Sequence, residues 1–312
     1  MTKRSAWTDL GGPVHYLDFG GPARGPVIVC VHGLGGSGLN WSAIAPLLTR
    51  HCRLIAPDLA GHGLTQSLGR RVDVAANREL LHRFIESVAG GPVILMGNSM
   101  GGMISLLEAS AAPGTVAGLI LLDPALPLVP TRLDLRVAAG FLLYATPGVP
   151  GLLMGHRRPS PEELVAGILA ALCADPSLVP PEVVAEHVEQ VRQRAAFDGA
   201  ERDFTAAMRS VLATAGYLRG TAYRRAVRSV RCPVLLLHGE RDRLVPVSAA
   251  RSAAAANPSW SLIELLGVGH VPQLEAPREC ATAITEWLAS DGKSAAAAAA
   301  PLHSLLLARW AT

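Results

Sequence analysis

Hydrophobic positions along the chain follow two rhythms. Short, nearly unbroken apolar runs stand at "PVIVCVHG" (26–33), "CRLIAPDLAGHG" (52–63), "PVILMGNS" (92–99) and "VAGLILLDPA" (116–125). Between them lie "WSAIAPLL" (41–48), "DVAANRELLHRFIESV" (73–88) and 100–110, where apolar residues recur every three or four positions. Unbroken Val, Ile and Leu suit a strand covered on both faces, so the alternation predicts an α/β fold with a mostly parallel central sheet flanked by helices. Ahead of it, "WTDLGGPVHYLDFG" (7–20) predicts a hairpin turning at Gly11-Gly12-Pro13.

The rhythm changes after Asp123-Pro124. From 127 to 226 no strong strand pattern occurs, and helical stretches such as "SPEELVAGILAALCADP" and "PPEVVAEHVEQVRQRAAF" meet at prolines. The β pattern returns in "CPVLLLHGERD" (232–242) and "SLIELLGVGH" (261–270), and 278–290 predicts a closing helix. The division that follows is a core over 1–126, a helical cap inserted over 127–226, the rest of the core over 227–291, and an Ala-rich linker with an apolar tail over 292–312. No internal repeat is evident.

Composition narrows the function classes. With 312 residues, half of them hydrophobic, the chain can bury a full core. Its 28 basic and 25 acidic residues form no basic tract and aromatics are 4%, which argues against a nucleic-acid partner. The five scattered cysteines (Cys30, Cys52, Cys173, Cys232, Cys280) form no CxxC pair and read as small buried hydrophobes. The N-terminal stretch lacks the apolar core of a secretory signal, so the sequence predicts a cytoplasmic protein. The uncharged stretch 137–155 is broken by Pro147 and Pro150 and predicts a lid rather than an integral membrane span, with peripheral membrane contact as a second reading.

The candidate chemistry centres on Ser99 in Gly97-Asn98-Ser99-Met100-Gly101, between an apolar β run and a helix. Flanking glycines let strand and helix approach while the bend lifts the hydroxyl clear at a helix N-terminus; an ordinary serine N-cap is the plainer alternative. A serine needs a base, and His270, just past the last β run, is the candidate. A carboxylate must orient the imidazole. Asp242 is favoured, Asp123 is the rival with a loop-anchoring role as its plainer reading, and Glu240 fits less well. The glycine loop "VHGLGGSGLNW" (31–41) exposes amides, so the backbone N–H groups of Leu34 and Met100 are the candidate oxyanion donors. The loop lacks a dinucleotide fingerprint and a G-K-[S/T], so no cofactor is predicted. His32, Asp58 and His62 lack metal-ligand spacing and read as loop-structuring residues, so no metal is predicted.

Taken in order, "HGLGGS", "DLAGHGLT", "GNSMGG", "LLDPA", "GERDRLVP" and "GVGHVPQLEAP" resemble the serine-nucleophile branch of the α/β-hydrolase fold family over about residues 10–290 outside the insertion. The resemblance implies a Ser99–Asp242–His270 triad in the family's chain order, a cap over the site and esterase- or lipase-like hydrolysis of carboxylic esters. Serine at position 99 separates the chain from haloalkane dehalogenases and related epoxide hydrolases, which carry aspartate there. "GNSMGG" is also similar to the carbon–carbon bond hydrolases of meta-cleavage products, although Val271 follows the histidine where those enzymes typically have tryptophan. A non-catalytic small-molecule receptor of the same fold is the third reading. The cap's apolar entrance predicts a small to medium, largely apolar ester as partner, with water as second substrate and a homo-oligomer compatible with the sequence. Burying such a group contributes about 25 cal/mol per Å². Arginines 192, 194, 224, 225 and 228 read as a solvated helix face.

Overall fold

The computed structural model describes residues 3–127, 159–216 and 221–300. The stretch 137–155 expected to form a lid and the tail at 302–310 therefore lie outside the described residues. Eight strands form one sheet: β1 (Arg4–Asp9), β2 (Pro13–Gly20), β3 (Val27–Val31), β4 (Arg53–Pro57), β5 (Val93–Asn98), β6 (Val116–Leu122), β7 (Val234–Gly239) and β8 (Ser261–Leu265). Their order is β1-β2-β4-β3-β5-β6-β7-β8, parallel except at β2, whose pairings with β1 and β4 are antiparallel. The predicted hairpin and all six later strands are present.

Alternation along the central strands explains why the runs are apolar throughout. Val27, Val29 and Val31 face one side with Leu95, Leu119, Leu121 and Leu236. Ile28 and Cys30 face the other with Ile94, Met96, Ile120 and Leu235. Both sides are covered, so neither set of positions can be polar. The helices that follow in the core are α1 (Ala45–Leu48), α2 (Val74–Phe84) and α3 (Met100–Ala111). Asp73 caps α2 by accepting from Ala76 N at 3.0 Å. The helix predicted over 41–48 is shorter than its spacing suggests: a 3-10 turn at Gly38–Trp41 precedes a four-residue α1.

The insertion is helical, with α4 (Pro161–Leu172), α5 (Pro181–Arg194), α6 (Ala200–Ala215) and α7 (Thr221–Ser229). Ser160 and Glu163 form a reciprocal capping box with Pro161 in the first turn of α4. Val165, Leu169, Val183 and Val188 pack with Val271 and Leu274, so the insertion lies directly on the loop that carries His270. The second part of the core adds α8 (Val247–Ala256), α9 (Pro272–Glu275), α10 (Pro277–Ala289) and α11 (Lys293–Ala298). The alanine-rich run, expected as a linker, is instead a packed element. Ala295 and Ala299 are buried, and Val27 N donates to Ala299 O at 3.1 Å. Alanine is the side chain small enough for α11 to lie against β6, where a Cβ on Gly118 would come within 2.7 Å of Ala295 Cβ. All five thiols are unpaired. Among the described residues no helix is long and apolar enough to cross a membrane.

Candidate active site

The β5–α3 junction is a strained bend. Ser99 has φ +53° and ψ −118°, a conformation that costs a non-glycine residue on the order of 1–3 kcal/mol. Its neighbours explain how the bend is held. A Cβ on Gly101 would lie 2.0 Å from Val31 O, and one on Gly97 would lie 2.7 Å from the Gly101 backbone. Only glycines let β3, β5 and α3 meet this closely. Ser99 N donates to Leu122 O at 3.2 Å, and Ala125 N donates back to Ser99 O at 2.9 Å. Ser99 thus hangs between two strand ends with its side chain partly accessible.

His270 and Asp242 arrive from the ends of β8 and β7. His270 Nδ1 and Asp242 Oδ2 are 2.7 Å apart and both residues are buried. Asp242 Oδ1 accepts from Leu244 N at 2.7 Å and Val245 N at 3.0 Å, which leaves the carboxylate no freedom to turn. Burial pushes this carboxyl up, but the charge and hydrogen bond of His270, with His238 and the Val245 amide, outweigh it and hold it below the ordinary aspartate value. Among the described residues Ser99 Oγ makes no hydrogen bond, while the Asp242–His270 pair is formed. Hydrogen bonds of this kind commonly tighten only when substrate is bound.

Two residues that the sequence reading passed over tie the halves together. Asn98, fully buried at the end of β5, donates from Nδ2 to Leu122 O and to His270 O, each at 3.0 Å. Glu275 on α9 accepts from Gly269 N at 2.8 Å and from Asp175 N at 2.7 Å, joining the histidine loop to the cap. Glu275 carried a signal, a charged side chain between Leu274 and Ala276, whereas Asn98 stands between Gly97 and Ser99 and is not set apart in that way.

The rival acids separate by their partners. Glu240 is exposed and accepts from Gly267 N at 3.1 Å, away from the imidazole. Asp123 is fully buried, has φ +46°, and accepts from Gly239 N at 2.9 Å through Oδ1. The two candidate oxyanion amides, Leu34 N and Met100 N, lie on the loop after β3 and at the start of α3. Gly36 N returns to Gly33 O at 3.1 Å, a turn that does not use the Leu34 amide, and Met100 N, first in α3, has no acceptor within the helix. A Cβ on Gly33 would meet Ser99 Cβ at 3.2 Å, so this loop lies against the serine.

His32 and His62 are spent on the backbone, and Asp58 on two backbone amides and His15. His32 Nδ1 donates to Gly33 O at 2.8 Å and its Nε2 accepts from Leu59 N at 3.0 Å. Asp58 accepts from Gly38 N, Leu64 N and His15 Nδ1, each at 2.7 Å. His62 Nδ1 donates to Ala60 O, and burial pushes this imidazole down to about 3. Arg194 corrects the expectation of a solvated arginine face. It is mostly buried and donates to Gly61 O at 3.0 Å and to Gly63 O, pinning α5 to the core. Arg192, Arg225 and Arg228 are exposed.

An eight-stranded mostly parallel sheet, an inserted helical cap and a serine on a strand-to-helix bend define an α/β-hydrolase. Residues 28–283 match the Alpha/beta hydrolase family, and the chain belongs to it. It is similar to a pimeloyl-[acyl-carrier protein] methyl ester esterase of Methylococcus capsulatus, 30% identical over 86% of this chain and 96% of that protein. It is also similar to a 2-hydroxy-6-oxo-6-(2'-aminophenyl)hexa-2,4-dienoic acid hydrolase of Metapseudomonas resinovorans, 27% identical over 89% of this chain and 88% of that one. Among solved structures, the haloalkane dehalogenase DbeA of Bradyrhizobium elkani superposes with a TM-score of 0.77 at 21% identity, covering 94% and 100% of the two chains, a likeness of fold alone.

Proposed function

We propose that the chain is a serine hydrolase that attacks an acyl or ketone carbonyl of a largely apolar substrate, with Ser99, His270 and Asp242 as its triad. The observation that carries this reading is the buried 2.7 Å contact between His270 and Asp242 on a loop that Asn98, the residue before Ser99, holds by its carbonyl. In the reaction Ser99 Oγ bonds to the carbonyl carbon as His270 Nε2 takes its proton. The oxygen that becomes negative receives the amides of Leu34 and Met100. The imidazolium returns the proton to the leaving group, and water activated by the same histidine releases the acid. Asp242 stays ionised throughout and fixes the imidazole.

Two leaving groups fit. An alcohol is favoured by the methyl ester esterase relative. A carbon leaving group is favoured by the dienoic acid hydrolase relative and by "GNSMGG", and it stands level with the first until tested. For either, Phe204 of α6 supplies an apolar wall: a Cβ on Gly35 would lie 3.0 Å from its ring. Fluorophosphonate labelling with peptide mapping, followed by kcat/KM over p-nitrophenyl esters from acetate to octanoate and over a 2-hydroxy-6-oxo-dienoate, tests both levels. Label on Ser99 and loss of turnover in S99A support the triad, and full activity in a folded S99A sinks it. Efficient dienoate cleavage with poor rates on every ester selects the carbon–carbon reading.

A further inference from the structure

Asp123 is more than a loop anchor. It leaves β6 in a left-handed conformation (φ +46°), is fully buried, and uses Oδ1 to accept from Gly239 N at 2.9 Å. Its Oδ2 meets no donor among the described residues. The side chain is nevertheless not isolated: Asp123, Asp242 and His270 bring one polar atom each within 4.8 Å of one another. Asp242 already receives three donors, from Leu244 N, Val245 N and His270 Nδ1.

Two buried carboxylates at this range cannot both be ionised unless cations compensate them. The groups facing Asp123 do not supply that compensation. His238 on β7 is 3.5 Å from Asp123 Oδ1 and 3.6 Å from Asp242 Oδ2, but its Nε2 proton goes to Val245 O at 2.9 Å, and burial pushes the imidazole below its ordinary value. Cys280 on α10 is a buried thiol, and Glu275 on α9 adds negative charge. The donors around Asp242 favour its ionised form, so the shared proton belongs on Asp123. Burial first, and then the Asp242 charge, push the Asp123 carboxyl well above the ordinary range, in the same direction as the geometry.

We infer that Asp123 holds a proton on Oδ2 and donates it to the Asp242 carboxylate, which makes it a positioning residue of the Asp242–His270 pair. Resting on the triad reading above, the inference assigns Asp123 a task different from that of a second triad acid, because its Oδ1 is taken by Gly239 N and its Oδ2 is turned to Asp242 rather than to the imidazole. The neutral donor draws charge from Asp242, the group that faces the His270 ring. Removing it leaves a fuller negative charge beside the ring, so His270 holds its proton to higher pH.

The test uses D123N, which keeps a donor and an acceptor of the same shape, and D123G, which removes both while tolerating φ +46°. The readouts are the downfield imidazole proton of His270 followed by NMR against pH, and the acid limb of kcat/KM. D123G is expected to move both midpoints up by about half a pH unit or more, and D123N to bring them back towards wild type. A wild-type minus D123N infrared difference spectrum near neutral pH should show a protonated-carboxyl C=O stretch that shifts in D₂O, a measurement that does not require D123G to fold. Midpoints displaced alike in D123N and D123G would show that Asp123 works as an anion. Unmoved midpoints in both, or no protonated-carboxyl band, would leave it a structural anchor. Either result overturns the proposal. The NMR and infrared readouts stand apart from Ser99, so a protein that shows them without fluorophosphonate label on Ser99 loses the triad reading and keeps the shared proton.

Discussion

At the scale of single residues, the two aspartates beside the imidazole have opposite linkage to pH. The folded state holds Asp242 below its ordinary value, so its contribution to stability is present above about pH 3.9 and is lost as pH falls through the lower folded value. Asp123 is held above its ordinary value, so the folded state binds a proton that the unfolded chain releases. Its contribution is full below about pH 3.9 and declines as pH rises towards the folded value. Thermal melts of D123N should therefore show a higher Tm than wild type near pH 7, with the gap closing towards pH 4. Equal Tm across that range would mean that Asp123 is ionised when folded. For the proposed triad, D242N is expected to cost on the order of 10³–10⁴ in kcat, measured on whichever substrate is turned over, because the amide leaves the imidazole in the wrong tautomer.

At the scale of elements, packing sets what the glycines do. G101A must push a methyl group into the Val31 and His32 carbonyls, backbone atoms at 2.0 and 2.6 Å that cannot move aside. Urea unfolding should register a loss of about 3 kcal/mol or more, or no folded protein. G167A is its control, in mid-helix of α4 with nothing within 4 Å of the added carbon. It should gain about 0.5–1 kcal/mol through helix propensity alone. Elements were legible in the sequence where one cause acted. The unbroken Val, Ile and Leu of β3 to β7 can only be two-sided strands, and "GNSMGG" marks a bend because no other residue permits that approach. The Ala-rich run 294–301 was illegible since small side chains suit a flexible linker and a helix in tight contact equally well. The bond from Arg194 to the core escaped notice for a related reason. An arginine at helical spacing looks solvated until α5 is laid over Gly61 and Gly63.

At the scale of the whole molecule, the contacts that hold the described part of the cap to the core include two of different character. One side is polar and local, Arg194 on the carbonyls of Gly61 and Gly63, with Val74 N donating to Ser210 Oγ at 3.0 Å nearby. R194A should raise amide hydrogen exchange in α5 and α6 while β3, β5 and β6 stay protected. Uniform acceleration throughout the sheet would show instead that the arginine supports global stability. The other side runs through the loop of His270, the proposed base. His270 N donates to Leu172 O at 2.7 Å, and Glu275 clasps Asp175 and Gly269 together. These two sides are not equivalent as doors. Opening at Leu172 would pull on the backbone of the residue proposed as the base, whereas opening at Arg194 leaves that residue where it is. Loss of the Arg194 contacts to Gly61 and Gly63 would thus leave the His270–Asp242 contact in place.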